Sequence, residues 1–141
     1  MARAKLMSQR KTAAGEAVFL TPLVRKSDDR GWLAEIFSQE LSGGLVYGFQ
    51  SKPGAVRGGH YHTRKSECFC VLKGKVKVVL KNRLTGESTE QILDGTRQTQ
   101  KLLVPPGTTH TFTTLGPEDS VIIAYVDEVF DAEDPDTFID R

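Results

Sequence analysis

The chain has 141 residues, a length that indicates one domain with a single core. Hydrophobic residues make up 38% of the sequence, and no apolar run is long enough to span a bilayer. The net charge of +1 provides no overall field to attract nucleic acid or a membrane, so we expect neither as a partner.

The N-terminal segment, residues 1–17, is predicted to be a flexible basic leader that precedes an ordered domain at residues 18–141. Its charge comes from only four cationic residues, which is weak support for a transit peptide or a nucleic-acid-binding arm. It also lacks the apolar stretch of a secretory signal. We therefore expect the protein to be cytoplasmic.

Most of the remaining chain alternates between short strand-like segments and turn residues. The predicted strands are 17–25, 31–37, 45–51, 67–74, 75–82, 89–95, 100–107, 110–116 and 120–130. A short helix is expected only near residues 38–43. Strands at intervals of about 8–12 residues, bounded by Gly, Pro, Asn or Asp, are typical of an all-β sandwich or barrel.

The strand that begins "ECFCVL" at residue 67 is apolar on both faces. Cys68 and Cys70 share one face, whereas Phe69 and Val71 share the other. We expect the barrel core to cover one face and another sheet or subunit to cover the other, and we predict a homodimer. The two cysteines are interpreted as reduced thiols rather than metal ligands, because neighbours on one strand face do not easily form a disulfide.

The stretch "GGHYHTRKSE", residues 58–67, places two histidines near a glutamate. On a strand, His60 and His62 point the same way, and a turn leads from them to Glu67. The third histidine of the chain, His110, follows "VPPGTT". Three imidazoles and one carboxylate suit one divalent metal such as Zn, Fe, Mn, Ni or Co. The alternative is that these are unrelated polar surface residues.

The spacing around these residues is G-x5-H-x-H-x4-E-x6-G from Gly54 to Gly74, followed by P-x-G-x2-H from Pro105 to His110. This pattern resembles the two-part signature of the cupin family. The resemblance implies a single-domain, all-β jelly-roll barrel. It also implies that His60, His62, Glu67 and His110 are the metal ligands.

Three further segments narrow the resemblance: "SDDRGWLAEIF" at 27–37, "SKPGAVRGGHYH" at 51–62 and "DEVFDAEDPDTF" at 127–138. They are similar to the C-terminal cupin domain of bifunctional capsular polysaccharide reductase–epimerases. That domain is a zinc-dependent epimerase, so the resemblance implies zinc and a nucleotide-linked 4-keto-6-deoxy sugar in surface polysaccharide or deoxysugar biosynthesis. The chain contains no glycine-rich dinucleotide-binding motif, so it corresponds to the cupin domain alone.

The expected chemistry begins with a weakly acidic proton on the carbon beside a ketone. A divalent metal stabilises the enolate that forms when this proton leaves, and its return to the other face gives an epimer. Its return to the former carbonyl carbon gives a ketoisomer instead. Because a ligated imidazole nitrogen has no free lone pair, we expect a lysine, tyrosine, aspartate or glutamate to transfer the proton.

Two residues are the candidates for this proton transfer. Tyr125 falls where the dTDP-4-dehydrorhamnose 3,5-epimerases, which the chain resembles more distantly, have a catalytic tyrosine. Lys52 lies in the register of Gln50, and burial beside a cation would lower its pKa enough to make it a base. The alternatives are a packed strand tyrosine and a solvated turn lysine.

Three residues are the candidates for substrate binding. Arg57 matches an arginine shared by both sugar families and is predicted to hold a phosphate or the sugar. Tyr47 and Trp32 are candidates for stacking on the base or sugar, with core packing as the alternative.

Other functions remain as alternatives to the epimerase. The 3,5-epimerases and the sugar 3,4-ketoisomerases both lack the glutamate found here at Glu67, which favours a metal enzyme. A 3,4-ketoisomerase, an iron-dependent cupin dioxygenase and a non-catalytic sugar-binding cupin are the rival functions. The seven acidic residues in 126–140 are interpreted as a solvated tail that closes the domain rather than a second metal site.

Overall fold

A computed structural model describes residues 19–37 and 41–141. The predicted basic leader lies outside the described residues, and so does the first half of the helix expected near residues 38–43. The part of that segment that is described, residues 41–43, is not helical. No helix in the described ranges has the length and apolarity that crossing a membrane requires.

The described residues form twelve strands. In chain order they are β1 (Phe19–Leu23), β2 (Lys26–Asp28), β3 (Gly31–Leu33), β4 (Leu45–Ser51), β5 (Val56–Tyr61), β6 (Glu67–Lys73), β7 (Lys75–Asn82), β8 (Ser88–Asp94), β9 (Thr99–Val104), β10 (Thr108–Thr114), β11 (Ser120–Val126) and β12 (Phe138–Ile139). The strand predicted at 31–37 ends at Leu33. Strand β12 was not predicted, because two residues carry too little periodicity to be read from sequence.

Ten of these strands form two antiparallel sheets, and β2 and β3 form a separate hairpin. One sheet has the order β1-β9-β6-β11-β4, and the other has the order β12-β5-β10-β7-β8. The apolar core joins side chains from both sheets, including Phe69 and Ile122 from the first and Val78 and Phe112 from the second. This is the two-sheet arrangement of a jelly roll, as predicted.

Strand β6 lies within the first sheet and is covered on both faces, as predicted. Phe69 and Val71 belong to the core, whereas Cys68 packs with Tyr125, Phe37 and Leu103 on the other face. Both cysteines are buried, and they form no disulfide with each other. Because residues of this same chain cover the outer face, the two-faced apolar pattern does not require a second subunit, and the homodimer prediction loses that support.

A β-bulge in β5 places two cavity residues on one face. His60 pairs with His110 and Arg57 pairs with Phe112, so three residues of β5 span two residues of β10. In a regular strand, residues three apart face opposite sides, and the extra residue of the bulge restores them to the same side. Gly58 permits this geometry because its φ is +90° and a Cβ there would overlap the carbonyl oxygen of His110.

Candidate metal centre

Four ligand side chains meet where the two sheets come together at one end. His60 lies near the end of β5, His62 follows that strand, and His110 is the register partner of His60 on β10. Glu67 opens β6 in the opposite sheet, where it pairs with Val104 and Val126. The fold therefore brings together the three histidines and the glutamate, as the spacing of the two sequence motifs predicts.

The candidate ligand atoms of His60, His62, Glu67 and His110 all lie within 4.8 Å of one another. The Glu67 Oε1 atom contacts His62 Nε2 and lies 3.4 Å from His110 Nε2. The His60 and His110 rings meet edge to face, with centroids 4.7 Å apart. Within the described residues, no other group of His, Cys, Asp and Glu gathers in this way.

Hydrogen bonds around the cluster fix the orientation of its ligands. His62 Nδ1 donates to the backbone oxygen of Asp136 at 2.6 Å, and His110 Nδ1 donates to that of Thr108 at 3.3 Å. A carbonyl oxygen only accepts, so each ring carries its proton on Nδ1 and turns its Nε2 toward the cluster. Tyr47 donates its hydroxyl proton to Glu67 Oε2 at 2.8 Å, which leaves Oε1 facing the histidines.

The protonation of the cluster also fits a divalent cation. Burial raises the pKa of Glu67, but the His62 hydrogen bond, the charges of both histidines and the Tyr47 hydrogen bond together lower it to about 2. Burial lowers the pKa of His110 to about 4. Burial and the neighbouring charge of His62 lower the pKa of His60. Burial lowers the pKa of His62, but the hydrogen bond and charge of Glu67 together with the Asp136 carbonyl raise it. The ionised Glu67 carboxylate and the neutral His60 and His110 imidazoles are donors that a divalent transition metal takes, and His62 would join them when the metal displaces its proton.

A cavity of about 320 Å³ adjoins the cluster. Its apolar wall is formed by Phe49, Phe69 and Phe112, and its polar wall contains Tyr47, Arg57, His60 and His110. A concave apolar site with a few convergent polar groups is the usual form of a small-molecule site. The ligand histidines His60 and His110 face directly into it.

Arg57 is held in the cavity wall by three contacts. Its Nε donates to Ser51 Oγ at 2.7 Å, and its Nη2 donates to the backbone oxygen of Gln50 at 3.0 Å. The guanidinium also lies 5.4 Å from the centroid of the Phe49 ring. Arg57 and His60 face partners two residues apart on β10, so their backbones lie roughly 7 Å apart along the strand.

Of the five other predicted site residues, the structure brings Arg57 and Tyr47 to the cavity and leaves three outside it. Trp32 lies on the β2–β3 hairpin, where the Arg25 guanidinium covers its ring at 4.2 Å. Lys52 is exposed in the turn after β4. Side chains alternate along β4, and those of Tyr47, Phe49 and Ser51 point inward. Gln50 and Lys52 fall in the other set, which faces away from the cavity.

Tyr125, the second candidate for proton transfer, lies on the outer face of its sheet rather than at the cavity. Ile122 and Ala124 contribute to the core from one face of β11, and Tyr125 points to the other face, where it packs against Phe37 and Cys68. It is only 1% exposed, and its hydroxyl donates to the backbone oxygen of Gly43 at 2.9 Å. The structure therefore does not support Tyr125 in proton transfer, because its hydroxyl is committed to the outer side of the sheet.

Sequence reasoning missed two features that shape the site. The first is the wall formed by Phe49, Phe69 and Phe112, whose residues looked like ordinary strand positions. The second is Asp136, the carbonyl partner of His62, which the sequence placed in a solvated tail. Asp136 is in fact only 2% exposed. The only feature of the sequence that could have indicated a structural role for Asp136 was the "PDTF" string around it.

Comparison with known proteins places this geometry in a family. Residues 26–138 match the polysaccharide biosynthesis C-terminal domain. The chain is 39% identical over 112 residues to UDP-2-acetamido-2,6-beta-L-arabino-hexul-4-ose reductase of Pseudomonas aeruginosa. It is 30% identical over 120 residues to the probable low-salt glycan biosynthesis epimerase Agl13 of Haloferax volcanii. These matches cover 79% and 78% of this chain, and 30% and 77% of the respective relatives.

Solved structures agree with this assignment. The capsular polysaccharide assembling protein CapF of Staphylococcus aureus superposes with a TM-score of 0.66 at 35% identity, covering 84% of this chain and 34% of CapF. The chain thus spans about a third of CapF and of the Pseudomonas reductase. The dTDP-6-deoxy-D-glucose-3,5-epimerase RmlC of Legionella pneumophila has a TM-score of 0.73 at 20% identity, covering 86% of this chain and 71% of RmlC, and it supports the fold alone. Both the predicted cupin jelly roll and the predicted resemblance are confirmed: this chain belongs to the polysaccharide biosynthesis C-terminal domain family.

Proposed function

We propose that this chain is a metal-dependent epimerase or isomerase that acts beside the ketone of a nucleotide-linked 4-keto-6-deoxy sugar. The observation that carries the proposal is the cluster of three histidines and one glutamate at the wall of a cavity that also contains Arg57. The names of two relatives fit this proposal: one is a probable epimerase of glycan biosynthesis, and the other a reductase of a UDP-linked hexul-4-ose.

The proposed metal ligands are His60, His62, Glu67 and His110, with zinc as the proposed ion. When bound, a divalent metal supplies Lewis-acid stabilisation of the negative charge that develops as a proton leaves the carbon beside a ketone. Tyr47 and Asp136 hold two of these ligands in their orientations through hydrogen bonds. The three phenylalanines exclude water from the reacting carbon, which strengthens every electrostatic interaction in the cavity.

Arg57 is proposed to bind the substrate. Its guanidinium is held in the cavity wall by Ser51 and the backbone of Gln50, and it lies on the same face of β5 as His60. A fixed guanidinium is suited to the diphosphate or sugar oxygens of a nucleotide sugar. In this arrangement Arg57 anchors the substrate while its ketone lies beside the metal ligands.

Tyr47 is proposed to give its hydroxyl proton to the sugar carbon, after which the phenolate recovers a proton from solvent water. Among the described residues that line the cavity, it is the one tyrosine, lysine, aspartate or glutamate that is not itself a proposed metal ligand. Burial and the neighbouring charge of Glu67 raise its pKa, so the phenol is a protonated donor at neutral pH. Lys52 and Tyr125 lie outside the cavity, so we propose Tyr47 in their place for proton transfer.

Proton NMR in D2O tests the proposed reaction directly. The protein is incubated with a panel of UDP- and dTDP-linked 4-keto-6-deoxy sugars, and the carbon that gains deuterium is identified. We expect deuterium beside the ketone together with a new epimer. A new carbonyl position would instead identify the ketoisomerase. Binding without exchange would identify a sugar-binding cupin, and oxygen uptake with iron would identify a dioxygenase.

We also propose a cytoplasmic homodimer. The outer face of β6 is already covered, so it does not support a dimer. The support for a dimer comes from β4, an edge strand whose Leu45 and Val46 are 41% and 47% exposed. Exposed apolar residues on an edge strand favour pairing with another chain. Light scattering after size exclusion should give twice the 15.6 kDa mass of the chain, and a mass of one chain would rule the dimer out.

A further inference from the structure

Asp136 differs from the other acidic residues near the C terminus. Asp131, Glu133 and Asp134 are exposed, whereas Asp136 is buried. Its φ of +46° is a left-handed conformation, which residues other than glycine adopt only occasionally. A buried carboxylate in an unusual backbone conformation requires compensating contacts.

The contacts of the Asp136 carboxylate all go to the turn after His62. Its Oδ1 atom accepts hydrogen bonds from the backbone nitrogen of Thr63 at 2.9 Å and from the Thr63 hydroxyl. Its Oδ2 atom accepts from the backbone nitrogens of Arg64 at 2.8 Å and Lys65 at 3.1 Å. One carboxylate therefore satisfies three consecutive amides of the turn that joins two of the ligands, His62 and Glu67.

The backbone of the same residue contacts the ligand itself. The carbonyl oxygen of Asp136 accepts the Nδ1 proton of His62, and this bond turns Nε2 toward the cluster. The neighbouring Pro135 carbonyl accepts from the buried Lys65 Nζ at 2.8 Å. Asp136 thus holds the turn by its side chain and the imidazole by its main chain.

The segment that carries Asp136 is anchored on both sides. Before it, Asp134 pairs with Arg64 at 3.0 Å. After it, Phe138 stacks on Tyr61 of β5 with ring centroids 5.5 Å apart, and β12 pairs with the end of β5. The β12 pairing and the Phe138–Tyr61 stack keep Asp136 against the turn, whereas the ion pair of Asp134 with Arg64 is largely exposed and contributes little.

We propose that Asp136 is a positioning residue of the metal centre, which fixes the distance from His62 to Glu67 and the orientation of the His62 ring. This role rests on the metal site of the proposed function. A ligand set binds a metal tightly when outer contacts hold its members in place before the metal arrives. Without the carboxylate, three amides lose their acceptor and the turn is free to adopt other conformations.

Three variants test this role. Asp136→Gly removes the carboxylate but keeps the carbonyl and tolerates the positive φ. Asp136→Asn keeps the shape and one carbonyl acceptor, and asparagine also tolerates this conformation. Asp134→Asn is the matched control, because that carboxylate lies on the same segment but accepts its hydrogen bonds from the half-exposed Arg64 side chain rather than from the backbone amides of the turn. The readouts are the Kd for Zn²⁺ by chelator competition, the visible spectrum of bound Co²⁺, and amide hydrogen exchange at residues 63–65.

We expect Asp136→Gly to raise the Kd for Zn²⁺ about 10- to 100-fold, to alter the Co²⁺ spectrum and to lose protection at residues 63–65. Asp136→Asn should recover part of the affinity, with a Kd only ~3- to 10-fold above wild type. Asp134→Asn should bind Zn²⁺ as wild type does. If Asp136→Gly does not fold, the test is the difference in Kd for Zn²⁺ between Asp136→Asn and Asp134→Asn.

A folded Asp136→Gly protein with the wild-type Kd and Co²⁺ spectrum would overturn the role, even if its melting temperature fell. An equal loss of affinity in Asp134→Asn would overturn it as well. A wild-type protein that binds no divalent metal would remove the metal centre itself and this role with it, a result separate from a loss confined to the Asp136 variants.

Discussion

At the scale of single residues, alternation along β4 decides which side chains can meet a substrate. Tyr47, Phe49 and Ser51 point inward. Tyr47 hydrogen-bonds Glu67, Phe49 lines the cavity, and Ser51 accepts a hydrogen bond from Arg57. Gln50 and Lys52 occupy the opposite register. The same alternation on β11 turns Tyr125 outward. This alternation is why we propose Tyr47, rather than Lys52 or Tyr125, for proton transfer in the cavity.

The Tyr47→Phe substitution tests this assignment. It removes the hydroxyl and keeps the ring, so we expect kcat for epimerisation to fall about 10²- to 10⁴-fold, in the range of a lost general acid. The measurement is turnover by NMR, with zinc content determined in parallel because Tyr47 also orients Glu67. The control Tyr125→Phe should keep its turnover and lose only about 1 kcal/mol of unfolding free energy. If Tyr125→Phe lost turnover and Tyr47→Phe kept it, Tyr125 rather than Tyr47 would be the residue that transfers the proton.

A second residue-scale prediction concerns Arg57. Replacing it with lysine keeps the charge but loses the planar guanidinium that bonds Ser51 and the Gln50 backbone together. We expect Arg57→Lys to raise KM for the nucleotide sugar by roughly ten-fold, equivalent to about 1.4 kcal/mol, with a smaller change in kcat. An unchanged KM, measured with the same substrate at saturating zinc, would show that Arg57 does not bind the substrate.

The residues that could be predicted are those whose roles depend on local spacing. His60, His62 and Glu67 lie within eight residues of one another, and their types alone indicate metal binding. The sequence could not show that Tyr125 and Lys52 lie away from the cavity, because a strand pattern gives the alternation but not which face is inside. Asp136 was missed because its partners are more than seventy residues away, and no local periodicity encodes such a contact.

At the scale of elements, the bulge in β5 places Arg57, the proposed substrate-binding residue, on the same face as His60, a proposed metal ligand. Without the extra residue, Arg57 and His60 would lie on opposite faces of the strand. The double glycine before His60 makes the bulge feasible, and this conformational need is separate from any metal chemistry. Sequence reasoning recognised the string but assigned no register shift to it, since a bulge shows itself only in the pairing of two strands.

The bulge leads to a prediction that compares two adjacent glycines. Both Gly58 and Gly59 have positive φ, but only at Gly58 would a Cβ overlap another backbone atom, the carbonyl oxygen of His110. We expect Gly59→Ala to cost about 1–2 kcal/mol of unfolding free energy from its conformation alone. Gly58→Ala should cost more and should also weaken zinc binding. Equal losses in urea titrations of the two variants would contradict this account of the bulge.

At the scale of the whole molecule, the proposed metal ligands come from both sheets. Glu67 belongs to one sheet, His60 and His110 belong to the other, and the C-terminal segment holds the turn between them. A bound metal would therefore link parts of the chain that separate on unfolding. Zinc at a hundred times its Kd should add about 2.7 kcal/mol to the unfolding free energy. The melting temperature should rise by on the order of 5–10 °C.

This stabilisation should disappear in Glu67→Gln, which replaces the anionic ligand with a neutral amide. Calorimetry with and without zinc measures the difference, and magnesium serves as a control because three imidazole ligands do not suit it. A shift of the same size in Glu67→Gln would mean that Glu67 is not a ligand of the bound zinc.

The central claim, that four side chains hold a metal used in proton exchange beside a ketone, is tested most directly by one measurement. Deuterium incorporation from D2O into a 4-keto-6-deoxy nucleotide sugar is followed by NMR with zinc-loaded protein, with chelator-stripped protein, and with stripped protein after zinc is restored. The account predicts exchange in the first sample, its loss in the second and its recovery in the third. Exchange at the full rate in stripped protein shown to contain no metal would contradict it.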